Sequence, residues 1–222
     1  MSGVRCTLLG VGAMASPRYR PAGVLIADVG WRVMIDGGPG AEPAGHVDAW
    51  LVTDEESELK GHIRRLARAA GVEPHVGPFA RAGSSIEPLP VVHTNHPTYG
   101  YLIEGAGRRV VWAPEFFTFP AWARDADLMF AEAAAWRRPI RFARGVGGHA
   151  SVLEVSEQAL EAGVRRLVFA HLGRPTIRAI EAGLRPPFGE FGVEGRTYSV
   201  AGLPSAPGNT LRGPADEPIE SG

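Results

Sequence analysis

The chain has 222 residues, 45% of them hydrophobic and 21% charged, which is ordinary globular usage and excludes a chain disordered throughout. Its 23 basic and 24 acidic residues leave a net charge of −1, so there is no global field to grip nucleic acid or a membrane surface. Cys6 is the single cysteine, which rules out an intrachain disulfide.

Residues 4–9 read as a first strand that runs into Gly10-Val11-Gly12-Ala13-Met14-Ala15-Ser16-Pro17. The glycine spacing satisfies a dinucleotide fingerprint, but Pro17 and Pro21 stand where the pyrophosphate would need a helix N-terminus, so a nucleotide cofactor is not expected. Arg5, the short apolar run and Ala13-Met14-Ala15 also imitate a signal peptide. A strand entering a glycine loop explains them better, and no apolar run approaches a membrane span, so cytoplasm is the expected address.

Residues 23–29 and 32–36 form a hairpin pattern hinged at Gly30, ended by Asp36-Gly37-Gly38-Pro39-Gly40. A strand over 49–53 runs into Asp54-Glu55-Glu56-Ser57-Glu58. The apolar spacing of Leu59, Ile63, Leu66, Ala67 and Ala70 then predicts a helix over 59–70. Further strands are expected at 89–93, 99–104, 109–113 and 128–132. A loop with Arg137, Arg138, Arg141 and Arg144 leads to Gly147-Gly148-His149-Ala150-Ser151, followed by a helix over 152–162. A strand over 166–170 delivers His171 at its end, a helix covers 176–182, and a last strand covers 193–201. The order predicts an α+β protein, a four-layer αββα sandwich of two packed mixed sheets with helices outside, as one domain over 1–202. The Pro-, Ser-, Ala- and Gly-rich segment 203–222 is expected to be a disordered tail.

Several of these segments, in order, carry a family resemblance. They are Thr7-Leu8-Leu9-Gly10-Val11-Gly12, Met34-Ile35-Asp36-Gly37-Gly38-Pro39-Gly40, Thr98-Tyr99-Gly100-Tyr101, Val111-Trp112-Ala113-Pro114-Glu115, Gly148-His149-Ala150-Ser151 and Leu167-Val168-Phe169-Ala170-His171. Together they resemble the metallo-β-lactamase-fold superfamily, in the branch of RNase Z and cyclic-phosphate phosphodiesterases, over about residues 4 to 172. In that family a His-x-His-x-Asp-His loop supplies ligands to two adjacent metal ions. Here the loop is degenerate: Asp54 and Glu56 stand at the first two histidines, Glu58 at the aspartate, and Leu59, which cannot ligate, at the third histidine. The resemblance further implies a ligand at His93, or at His96 three residues on, Glu115 at the bridging aspartate, and His171 at the last metal histidine. It gives His149 the role of assisting proton transfer to the leaving group.

In an extended loop, positions 54, 56 and 58 would turn three carboxylates to one side. Asp54, Glu56, Glu58, Glu115, His93 and His171 are thus the candidate ligands of a divalent metal (Mn, Mg, Fe or Zn), one ion instead of two, and His149 and Glu58 the candidate catalytic residues. His62, one turn beyond Glu58, could stand in for the ligand missing at Leu59. Two functions fit. One is a metal-dependent hydrolase of a small phosphodiester or related ester; the other is a catalytically silent member of the fold that binds a ligand or protein partner. A small-molecule substrate is expected, a homodimer is compatible, and nucleic acid is disfavoured because no basic appendage is present.

Overall fold

The computed structural model describes residues 3–200. The expected tail lies outside the described residues. Strands β1 (Arg5–Gly10), β2 (Gly23–Asp28) and β3 (Trp31–Asp36) form an antiparallel meander. Strands β4 (Ala49–Leu51) and β5 (Pro74–His75) then add in parallel, with helix α1 (Lys60–Ala69) between them. The second sheet is built from β6 (Phe79–Arg81), β7 (Ser84–Val91), β8 (Thr98–Gly105), β9 (Arg108–Ala113) and β10 (Leu128–Ala133). A small ribbon of β11 (Ile140–Arg141) and β12 (Gly148–His149) precedes helix α2 (Val152–Glu161). Then come β13 (Leu167–Leu172), helix α3 (Arg174–Glu181), β14 (Glu190–Phe191) and β15 (Thr197–Ser199).

The sheet orders are β15-β1-β2-β3-β4-β5 and β14-β13-β10-β9-β8-β7-β6, both mixed. A continuous core fills the space between them, from Cys6, Leu8 and Ile26 on one side to Tyr101, Trp112, Phe130 and Phe169 on the other. The two-sheet α+β sandwich expected from the sequence is the observed fold. Strands β10 and β13 are buried at every residue, because the facing sheet covers one side and α2 the other. On the far side α1 turns Ile63 and Ala67 onto Met34, Trp50 and Val52, the stripe that its apolar spacing predicts. Among the described residues no helix is long and apolar enough to cross a membrane.

Differences from the expected elements have local causes. The short strands β5, β6, β11, β12 and β14 have two or three residues each, too few for a period to show. Strand β7 starts at Ser84, not at 89, and carries Pro88 and Pro90. Both are tolerated because β6 pairs only with Ser84 to Ile86, which leaves the rest of β7 as an edge without need of those N–H groups. The last strand is confined to Thr197–Ser199, and residue 201 lies outside the described residues. No helix follows Gly12: an added Cβ there would meet the carbonyl oxygens of Tyr19 and Arg20 at 2.7 and 2.8 Å, so the glycine serves close chain approach and not a phosphate.

The topology gathers chemistry at one edge. β9, β10 and β13 are mutually parallel, and β7 runs the same way because two antiparallel steps separate it from β9. Their C-terminal ends therefore lie along one rim, which delivers His93, Glu115, Glu132 and His171 together.

Candidate metal and acid–base centre

Glu115 follows β9 and lies between two imidazoles. Its Oε2 is 2.8 Å from His93 Nε2 and its Oε1 is 3.2 Å from His171 Nε2. Behind each ring stands a second acceptor: Nδ1 of His93 is 2.8 Å from the Gly148 carbonyl, and Nδ1 of His171 is 3.1 Å from Glu132 Oε1. Glu132 continues the chain of contacts, its Oε2 lying 2.7 Å from His149 Nδ1. Five titratable groups, His93, Glu115, His171, Glu132 and His149, thus form one unbroken series of ion pairs and hydrogen bonds.

Glu132 was not foreseen as a site residue. A bulge between β10 and β13 shifts the register so that Glu132 pairs directly with His171. The carboxylate is fully buried and accepts four hydrogen bonds, from the two imidazoles and from the backbone N–H groups of Phe116 and Ala134. The available signal was a lone acid in an otherwise apolar strand, which must find partners or lose its charge. His93, Glu132 and His149 also offer ligand atoms within 4.8 Å of one another. With both oxygens engaged by four donors, however, Glu132 supports the imidazoles and is not itself a free ligand.

Burial alone would push the carboxylates up and the imidazoles down, and the opposite charges outweigh it. The charge of His171, with the contacts from both rings, holds Glu115 well below the usual carboxylate range. His149 and His171 bring Glu132 to about 2. His171, between two carboxylates, rises to about 10, and His93 is also raised by Glu115 and the Gly148 carbonyl.

The opposite wall comes from the first sheet. Asp36 holds the left-handed conformation, φ 55°, at the end of β3. Its Oδ1 accepts from the N–H and hydroxyl of Thr53, and its Oδ2 from the Trp112 indole at 2.7 Å, which ties the two sheets together. Burial raises Asp36 to about 6 against those hydrogen bonds. Asp54 Oδ2 is 3.0 Å from His96 Nε2, and its Oδ1 accepts from the Glu56 N–H. A cavity of about 50 Å³ between the walls is lined by Asp36, Asp54, Ser57, Leu59, Glu115 and His171, among others.

The acidic loop does not run extended. The Asp54–Glu56 hydrogen bond folds it into a turn, so its three carboxylates do not share one side. Asp54 reaches the cavity wall, whereas Glu56 is 65% exposed, 4.0 Å from His96 Nδ1, and Glu58 is exposed. His62 is exposed on α1. His93 and His96 belong to different sides of the site, His93 to Glu115 and His96 to Asp54. Arg137, Arg138 and Arg141 are exposed, Arg141 lying over the Phe117 ring at 4.9 Å; the side chain of Arg144 is outside the described residues. Ser151 caps α2 in a reciprocal box with Glu154, which anchors the segment carrying His149. A hollow of about 520 Å³ on the outer face of the first sheet includes His46 and Asp48, but Asp48 is already paired with Arg81 at 2.6 Å.

Two glycines make the arrangement possible. A Cβ on Gly148 (φ 150°) would meet the Ile140 carbonyl at 1.9 Å, and one on Gly147 (φ 144°) the His93 carbonyl at 2.0 Å. Gly148→Ala is therefore expected to lower stability by about 1–3 kcal/mol, by forcing β11 and β12 apart. It should also withdraw the carbonyl that orients His93. Chemical denaturation with and without divalent metal measures both effects, and an unchanged midpoint would contradict the packing argument.

Residues 41–172 match the Beta-lactamase superfamily domain. No curated protein sequence gives a significant match. Solved structures share the fold at low identity. The metallo-beta-lactamase fold protein YhfI from Bacillus subtilis is 15% identical, with 89% of this chain and 100% of that one covered at a TM-score of 0.69. A diphosphatase from the PhnP family is 18% identical, with 90% and 98% covered at 0.69. Zinc-bound PqqB from Methylobacterium extorquens is 13% identical, with 88% and 100% covered at 0.63.

Proposed function

This chain belongs to the β-lactamase superfamily, and on that premise we propose that it is a metal-dependent hydrolase of a small phosphodiester or related ester. One observation carries the reading. Both ring nitrogens of His171, and both of His93, face oxygen acceptors. A neutral imidazole has one N–H and cannot satisfy two acceptors, so each ring needs a cation at Nε2, either a proton or a metal. An Nδ1–H donated to a carboxylate or carbonyl is the support that metal-bound histidines have. The donor set therefore fits a divalent ion. Glu115 and His171, with Asp54 across the cavity and His93 on the other oxygen of Glu115, would hold it.

When bound, such an ion polarises the ester oxygen and acidifies a water molecule. The acid–base work falls to His149. Its Nδ1–H donates to Glu132, which leaves Nε2 to carry the proton given to the departing oxygen as the ester bond breaks. Glu132 orients the ring throughout. Phe142 packs edge-on against both His93 and His149 at 5.4 and 5.3 Å and restricts their rotation. Among the structural neighbours one is a diphosphatase and another binds zinc, which supports hydrolysis at a metal.

A second reading, a silent scaffold that binds a ligand in the same cleft, is favoured by Leu59 and by the outward position of Glu58. Hydrolysis of bis(4-nitrophenyl) phosphate and of 4-nitrophenyl carboxylic esters separates the two. Turnover that chelation abolishes and divalent metal restores supports the hydrolase. Loaded protein that cleaves neither class of ester leaves the scaffold as the better account.

A further inference from the structure

We propose that Ile140 is a specificity-determining residue and that the substrate's leaving group is an apolar alcohol, alkyl or aryl, and not one rich in hydroxyl or amide groups; this rests on the hydrolase reading above, with His149 as proton donor. In the ribbon of β11 and β12, Ile140 pairs with His149 and Arg141 with Gly148. Residues directly opposite each other in an antiparallel pair put their side chains on one face, with Cβ atoms about 4.5–5.5 Å apart, and successive residues alternate faces. The His149 ring stands 4.8 Å from that of His93 and 5.4 Å from that of His171, so its face of the ribbon is the one turned to the site. Phe142, two residues after Ile140, keeps to the same face and packs against His93 and His149. Arg141 takes the other face and lies over the Phe117 ring.

This partition surrounds the proton donor with apolar ribbon neighbours. Gly147, whose carbonyl accepts from the Phe142 N–H, has no side chain, and neither Ile140 nor Phe142 offers a donor or acceptor. Ile140 is 38% exposed, so it has apolar surface left to cover. A single exposed isoleucine is ordinary on a protein surface; its meaning here comes from its place opposite His149. In the step itself, a water oxygen bonds to phosphorus or to the carbonyl carbon as the bond to the leaving oxygen breaks. That oxygen keeps the electron pair and takes the proton from His149 Nε2, while the water's own proton passes to solvent, from which His149 is recharged. To take the proton the leaving oxygen comes within about 3 Å of Nε2, which brings the carbons attached to it against Ile140. Covering those carbons there is favourable in proportion to their area. The hydroxyl or amide groups of a polar alcohol would instead give up water and find no partner.

The test crosses substrates with variants. Protein supplied with divalent metal is assayed on the 4-chlorophenyl and 4-carbamoylphenyl esters of methyl phosphate and of acetic acid, leaving groups alike in size and acidity but not in polarity. Ile140→Ser should lower kcat/KM on the chlorophenyl esters about 10-fold more than on the carbamoylphenyl esters. Ile140→Leu should restore the wild-type ratio, and Arg141→Ser, on the far face, should leave that ratio where it is. Equal falls on both leaving groups, or as large a change of ratio from Arg141→Ser, would overturn the proposal and leave the hydrolase reading standing. A second readout needs no turnover. In chelator-stripped wild type, 4-chlorophenol should shift the amide NMR resonances of Ile140 and His149, and 4-hydroxybenzamide at the same concentration should not. A chlorophenol that leaves those resonances unmoved would also overturn the proposal. Folded, metal-loaded protein that cleaves none of the four esters would overturn the hydrolase reading and the leaving-group role with it.

Discussion

His149→Ala is expected to lower turnover by about 10²–10⁴-fold, the usual worth of a positioned general acid, while bound metal stays at the wild-type level. The two halves of this result come from different contacts. His149 contacts Glu132 and packs against His93 and His171, but it does not itself line the cavity and forms no ion pair with Glu115. Glu132→Gln should also slow turnover, and the double variant should be little worse than His149→Ala alone, because one pair acts as a unit. Glu132→Gln differs in one respect: its amide nitrogen would face the donors of Phe116, Ala134 or an imidazole, so metal affinity should fall too, by about 10–100-fold. Metal content by elemental analysis beside steady-state rates checks the assignment, and loss of metal from His149→Ala would overturn it.

The second large effect is thermal. Divalent ion at 100 to 1,000 times its Kd should add about 3–4 kcal/mol to the folded state, or roughly 5–15 °C in melting temperature for a chain of this size. Glu115→Gln should abolish the rise. Its dependence on pH follows from His171, which in the metal-free protein lies at about 10 instead of 6.5 because the charges of Glu115 and Glu132 outweigh burial. That raised value stabilises the metal-free fold fully below about 6.5, and the stabilisation is lost as pH rises through about 10. Below 10 the ion must displace the proton from Nε2. The increment on adding metal should therefore grow from pH 6 to pH 9 and fade toward acid. On the acid side the metal-free protein should lose stability between about 4.5 and 2, where Glu132 takes up its proton. Melting curves across this range, with and without metal, test both arms.

Much of the frame was legible in the sequence because period and punctuation report local structure. The hairpin of residues 23–36, the stripe of α1 and the strand delivering His171 all follow from apolar spacing bounded by glycine. The partnerships at the site were less legible, since they depend on register. Glu132 meets His171 only through a bulge, and Asp36 meets Trp112 only because two sheets face each other. The loop at 54–58 shows the limit most clearly. Read as extended, it aims three carboxylates inward; one side-chain-to-backbone hydrogen bond at Asp54 turns the chain and exposes Glu56 and Glu58. His96, the alternative to His93 as a ligand, lies at Asp54 instead, a pairing that no linear spacing encodes.

The central claim is that Glu115 and the imidazoles beside it exist to hold a metal. Elemental analysis of protein purified without added metal or chelator tests it most directly, with Glu115→Gln prepared in parallel. The account predicts a divalent transition ion in the wild type and its absence from the variant. Folded wild type free of divalent metal, whose melting temperature stays unmoved by millimolar Zn(II) or Mn(II) near neutral pH, would contradict it.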